Sequence, residues 1–161
     1  MTDTISCCEI NRAIKRLGTV VLRNVRLPDS MGGEVTIERL LLATDAIVVV
    51  GVRRYAGLTF GGRHTDQWTQ VVNSRSYRFA NPDEYLKQQI SAIRAIVPGV
   101  PVRGLHLFTH NAVFPKDLPP SVLLLEDIRK HPTRPKMKDI PGELRAAWSV
   151  LRDSLPSGRP V

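Results

Sequence analysis

Apolar positions along the chain switch between a helical and an alternating period, and the switches mark out its elements. Ile10, Ile14 and Leu17 recur at helical spacing within residues 4–17, with Thr4 or Ser6 as the cap and Gly18 as the stop. A β-type run over residues 19–28 follows and ends at Pro28. After the turn DSMGGE come two more strands, 35–43 and 46–53, joined at Ala43-Thr44-Asp45. The second, AIVVVGVRR, is almost continuously apolar, as in a strand covered on both faces. Residues 57–79 hold the glycines of GLTFGG, then WTQVV and RSYRF, and predict a meander of short strands around a tight glycine turn. Asn81-Pro82 opens a helix to about Val97, with Leu86, Ile90, Ile93 and Val97 on one face and Pro98-Gly99 as its end. Two β-type runs, VRGLHLFTH and SVLLLED, flank a proline-rich loop, and a last helix over 142–154 carries Leu144, Trp148 and Leu151 on one side. This order predicts an α/β fold, a mixed sheet with helices on its two faces.

Composition narrows the class without naming a function. The chain has 161 residues, 42% apolar and 24% charged, enough to bury a core and unlike a disordered chain. Its net charge of +8 is uneven. Residues 1–127 hold 15 Lys and Arg against 12 Asp and Glu, net +3, and residues 128–161 hold 8 against 3, net +5. The stretch RKHPTRPKMKDIP reads as a basic, proline-rich arm, so the expected division is a body over 1–128 and an arm with its helix over 129–161. Such a tail suits a polyanion or an acidic partner. The only cysteines, Cys7 and Cys8, are adjacent, which disfavours a mutual disulfide and predicts reduced thiols. The N-terminal residues lack a secretory apolar run, and the apolar stretch Leu40–Val52 is interrupted by Asp45 and too short for a bilayer. A cytoplasmic protein without membrane contact is expected.

From Gly18 to Pro82 the chain resembles the nuclease-related domain (NERD) family, a branch of the PD-(D/E)xK restriction-endonuclease-like fold. LGTVVLRNVRLP, VTIERLLLATDAIVVVGVRRYAGLTFGG, WTQ and FANP with the helix behind it stand in the family's order, and VRGLHLFTH and SVLLLED fit its closing strands. The resemblance covers about residues 6–128. It implies a restriction-endonuclease-like mixed β-sheet flanked by helices, to which this chain adds its basic C-terminal tail with one helix.

The resemblance also implies a site. In such nucleases a strand Asp and a Glu on the next strand hold Mg²⁺ or Mn²⁺, which polarises the phosphate and acidifies a bound water. A Lys two residues after the Glu shares its face, because side chains alternate along a strand. Here the Asp position is Glu38, the Glu position is Gly51, the Lys position is Arg53, and the first-helix Glu is Glu9. Glycine offers no metal ligand, and a guanidinium cannot trade protons with water as a tuned lysine does. With one carboxylate gone, Glu38 and Arg53 are expected to form a half-buried, bidentate ion pair, with no metal or other cofactor bound. Were the enzyme active, Mg²⁺ or Mn²⁺ would sit at Glu38, with Asp45 or Glu9 as the relocated acid.

The rest of the chain adds weaker candidates. The family's cleft-facing Gln, four residues after the Asn, is Tyr85 here, with Gln88 and Gln89 a turn later and expected to be solvated. His64, His106, His110 and His131 show no ligand spacing. Arg53, Arg54, Arg63, Trp68, Arg134, Lys136 and Lys138 form the candidate nucleic-acid set, with cations for phosphates and Trp68 for base stacking, although packing on the sheet is the favoured role for that ring. The expected function is a catalytically degenerate domain that binds DNA, RNA or a protein. The alternatives are an active metal-dependent nuclease and an assembly protein that docks or self-associates through the Trp148 helix.

Overall fold

The structure is a computed structural model that describes residues 5–109, 111–130 and 134–156. Thr4, His110 and His131 lie outside the described residues. Helix α1 (Cys7–Ile14) leads into strands β1 (Val20–Pro28), β2 (Glu34–Leu42) and β3 (Ile47–Arg53). A meander follows, β4 (Gly57–Phe60), β5 (Gln67–Val72) and β6 (Arg75–Ala80), and then helix α2 (Pro82–Ile96). Strand β7 (Val102–Phe108), the short β8 (Ala112–Val113) and β9 (Val122–Leu124), and helix α3 (Leu125–Ile128) precede a 3₁₀ turn at Met137–Asp139 and helix α4 (Gly142–Ser154).

The strands form two sheets. The larger has the order β1-β2-β3-β7-β9, antiparallel from β1 to β3 and parallel from β3 to β9. The meander joins β8 in a separate sheet, β6-β5-β4-β8, where a single sheet was expected. Gly61 and Gly62 lie in the connection from β4 to β5, while the two-residue hairpin turn from β5 to β6 falls at Asn73-Ser74, with φ of 51° and 60°. Two central residues with positive φ make the turn that matches the natural strand twist.

Helices cover both faces of the larger sheet. Ile47 and Val49 of β3 pack with Leu86 and Ile93 of α2 and with Leu144, Trp148 and Leu151 of α4. Val48 and Val50, on the alternate face, pack with Ile10 and Ile14 of α1 and Leu125 and Ile128 of α3. The continuous run of apolar residues in β3 is explained by this two-sided burial.

Helix α4 is therefore part of the body and not the end of a free arm. Trp148 is 4% exposed, and Leu144 and Leu151 are buried with it. Burying each such side chain contributes roughly 1.5–3 kcal/mol, against roughly 0–1 kcal/mol for a surface ion pair, so packing holds α4 in place. The apolar stripe around Trp148, a candidate docking face in the sequence, is spent inside the chain. The stretch ahead of it is tied down too: Arg134 donates to the Thr19 carbonyl, and Thr19 Oγ1 donates to the Pro135 carbonyl at 3.0 Å.

Candidate active site

β2 and β3 pair from Leu42↔Ile47 to Arg39↔Val50, and the ladder stops there. One step further along the same register, Glu38 stands beside Gly51. The other side of β2 breaks at this row as well. Arg23↔Arg39 and Val25↔Ile37 are paired, while Asn24, between them, has φ 50° and no partner in the ladder. Glu38 thus sits where β2 bends away from β3. The freed backbone of Thr36 is taken up by α2: its N–H donates to the Tyr85 hydroxyl at 3.0 Å, and its carbonyl accepts from Gln89 Nε2 at 2.7 Å. Gln89 is buried, not solvated as expected.

Gly51 and Arg53 share the α2 face of β3. Arg53 Nη1 donates to Glu38 Oε1 at 3.2 Å and to its neighbour's carbonyl, Val52 O, at 3.2 Å. The contact is a single one rather than the expected bidentate pair, since one nitrogen, Nη1, makes both bonds. The two side chains are 20% and 43% exposed, so the pair is half-buried. A Cβ placed on Gly51 would lie 2.8 Å from Arg53 Nη2 and 3.0 Å from its Cζ. The guanidinium therefore lies over the glycine, in the space where an acidic side chain would begin.

Beneath this pair is a polar contact that the sequence did not flag. His106 on β7 is paired in register with Gly51, and its Nε2 lies 2.9 Å from Oδ1 of Asp83 in the first turn of α2. His106 is 0% exposed, and its Nδ1 is buried without a partner. Burial, and then the charge of Arg53, push the imidazole below its ordinary value of 6.5, against the pull of Asp83. The ring is accordingly neutral near pH 7, with Nε2–H donating to the carboxylate.

These residues do not fit a divalent cation. No three His, Cys, Asp or Glu side chains converge among the described residues, and the charge beside Glu38 is a guanidinium. The acids that could have migrated are engaged elsewhere. Asp45, at the far end of β3, accepts two bonds from Arg103, each 3.2 Å. Glu9 closes a capping box with Ser6 at the start of α1, and its carboxyl is held below the usual range by those bonds. Its remaining charged neighbours are Arg129 and Arg12, not Arg53.

The candidate nucleic-acid residues separate in the same way. Trp68 is removed from the set, since it is 0% exposed, packs on Phe108 and Phe79 and donates Nε1–H to the Gly62 carbonyl at 3.1 Å. A completely buried ring has no face for a base. A Cβ on Gly61 would lie 2.2 Å from the indole, so this glycine exists to admit the tryptophan. Asn81 caps α2 by accepting from Asp83 N–H and donates to the carbonyls of Gly62 and Thr65. The motifs GLTFGG and WTQ therefore hold the small sheet against β7, and FANP ties the loop between β4 and β5 to the start of α2. Arg54, Arg63, Arg134, Lys136 and Lys138 remain exposed, whereas Arg53 is committed to Glu38. Cys7 and Cys8 are free and exposed.

Residues 7–109 match the family model of the nuclease-related domain. No curated protein and no solved structure matches the chain. No helix among the described residues is long and apolar enough to cross a membrane.

Proposed function

The chain belongs to the nuclease-related domain family, and we propose that it binds nucleic acid without cutting it. The observation that carries this reading is the Arg53 guanidinium lying over Gly51 and bonded to Glu38. A nuclease centre of this class needs two nearby carboxylates whose repulsion a dication relieves. Here one acid is absent and its place holds a fixed positive charge that already neutralises the other. What remains useful is the surface charge. Arg54, Arg63, Arg134, Lys136 and Lys138 are exposed, and the chain carries +8. Cations of that kind contact phosphates without reading sequence, and affinity should then fall steeply with salt.

The test has two arms. Pure protein incubated with plasmid DNA and Mn²⁺ should leave the plasmid intact, and titration with Mn²⁺ should give no site-specific heat. Binding to short DNA and RNA duplexes, followed by anisotropy, should weaken in proportion to log salt and vary little with sequence. Metal-dependent nicking abolished by Glu38→Ala overturns the non-cleaving reading. Absence of binding at low salt overturns the nucleic-acid reading.

A further inference from the structure

On the opposite face of the large sheet, α1, the first residues of β1 and Arg134 enclose a hollow of about 310 Å³, at the lower end of the ~300–1,000 Å³ typical of small-ligand pockets. Asn11, Lys15, Thr19, Arg23 and Arg134 supply its polar lining, and no carboxylate of the described residues lines it. Among the described residues Lys15 and Arg23 have no ion-pair partner. Arg134 is bonded only to a neutral carbonyl, that of Thr19. Three cations thus converge with nothing to neutralise them.

The surroundings sharpen this excess. Arg23 stands directly across the ladder from Arg39, a like-charge pair that antiparallel strands ordinarily avoid. Arg39 Nε is buried without a partner, and its Nη2 donates to Asn11 Oδ1 at 3.1 Å. That bond fixes the orientation of the Asn11 amide. Its oxygen is occupied by Arg39, so its NH₂ group is the end left to donate. The burial of Arg39, followed by the charge of Arg23, makes its guanidinium less basic than usual, against the pull of Glu38, whose carbonyl also accepts from Arg39 Nη1 at 2.8 Å.

We infer that this hollow is a phosphate site, in which Lys15, Arg23 and Arg134 meet a terminal phosphate or pyrophosphate and the Asn11 amide donates to one of its oxygens. Arginine forks and a lysine ammonium are the donors that suit a phosphate, and an anion here would relieve the Arg23–Arg39 repulsion. The site lies on the α1 face, away from Glu38 and Arg53, and does not depend on whether that centre cuts or is silent. The phosphate can come from the phosphorylated end of a nucleic-acid strand or from a free nucleotide or inorganic ion.

Calorimetric titration of the full chain with inorganic pyrophosphate tests it. One-to-one binding is expected, weakened about tenfold or more in Lys15→Ala/Arg23→Ala, which removes two charge-assisted bonds to the phosphate. Lys116→Ala, which removes one exposed charge from a distant loop, should stay within about twofold of the parent. Thermal melts of each variant show whether the fold persists, and Arg23→Lys, which keeps the charge, should retain most of the affinity. A short 5′-phosphorylated oligonucleotide that binds about tenfold tighter than its 5′-hydroxyl form identifies a strand end as the source. Equal binding of the two, with pyrophosphate still bound, identifies the free ion or nucleotide. No heat with millimolar pyrophosphate, or equal weakening by Lys116→Ala, overturns the site whatever the outcome of the plasmid experiment.

Discussion

The two faces of the large sheet treat charge in opposite ways. On the α2 face every buried or half-buried ionisable group has found a counterpart: Glu38 meets Arg53, and Asp83 meets His106. On the α1 face Arg23 and Arg39 stand opposite each other, with Lys15 and Arg134 nearby and no acid of the described residues in the hollow. Both faces belong to the same fold and share strands, so topology does not explain the difference. A matched set of charges is complete within the protein and holds structure. An unmatched set is complete only with something from solution. The face that carries Glu38, Gly51 and Arg53, the positions the family order points to, is therefore the closed one.

The largest change should come from reopening the closed face. Gly51→Glu with Arg53→Lys restores the second carboxylate and replaces the guanidinium that lies over it. Two acids would then face each other across β2 and β3, with only a lysine beside them. Mn²⁺ should go from no detectable isotherm to a dissociation constant below about 1 mM, a binding free energy of at least about 4 kcal/mol in magnitude. If the double variant folds and still ignores Mn²⁺, the loss of metal binding was not caused by these two positions.

Next in size is the buried pair. Asp83→Ala leaves His106 with neither ring nitrogen satisfied and should cost about 2–3 kcal/mol in urea denaturation. The pH dependence has a definite sign. His106 titrates near 6.5 when unfolded and lower when folded, so below about 6.5 the unfolded chain takes up the proton first. Stability from this group is complete above pH 6.5 and is lost as pH falls toward the folded value. Removing Asp83, which favours the imidazolium, should widen that acid loss, measurable as urea midpoints at pH 7.5 and 5.5. Midpoints that do not separate further in the variant would show that the carboxylate does not act on this ring.

How much of this was legible in the chain depends on the range over which each residue acts. Local periodicity placed α1, α2, α4 and most of the strands, because caps, stops and alternation are written within a few residues; it missed β8, and the run SVLLLED is a strand only to Leu124 before helix α3 begins. The split into two sheets was not legible, since it depends on which strand β4 pairs with, and that partner is β8, some fifty residues on. Gly51 and Arg53 could be aligned from the family order, yet their overlap in space is a matter of rotamer. Two buried polar residues had left a signal. Gln89 falls three residues after Leu86 and four before Ile93, on the apolar stripe of α2, which marks it as buried. His106 alternates with Gly104 and Phe108 on an inward face of β7 in the same manner. Trp68 and the arm carried no such mark. Aromatic residues beside arginines, or basic stretches rich in proline, have the same composition whether they cover a core or face solvent.

The smallest expected effect separates two glycines of the same motif region. Gly51→Ala places a Cβ against the far end of Arg53, a flexible side chain that can swing away. The variant breaks the pair with Glu38, but a half-exposed pair is worth about 0–1 kcal/mol, and alanine recovers about 0.5–1 kcal/mol of strand entropy relative to glycine. The two contributions nearly cancel, so stability should move by less than about 0.5 kcal/mol, and Glu38→Gln should be equally mild. Gly61→Ala is the contrast. Its Cβ would lie 2.2 Å from the indole of Trp68, a ring enclosed on all sides, and overpacking of that kind costs about 1–3 kcal/mol. Were Gly51→Ala the costlier of the two, the Glu38–Arg53 contact would be holding the fold together, and position 51 would be glycine for stability and not as the trace of a lost acid.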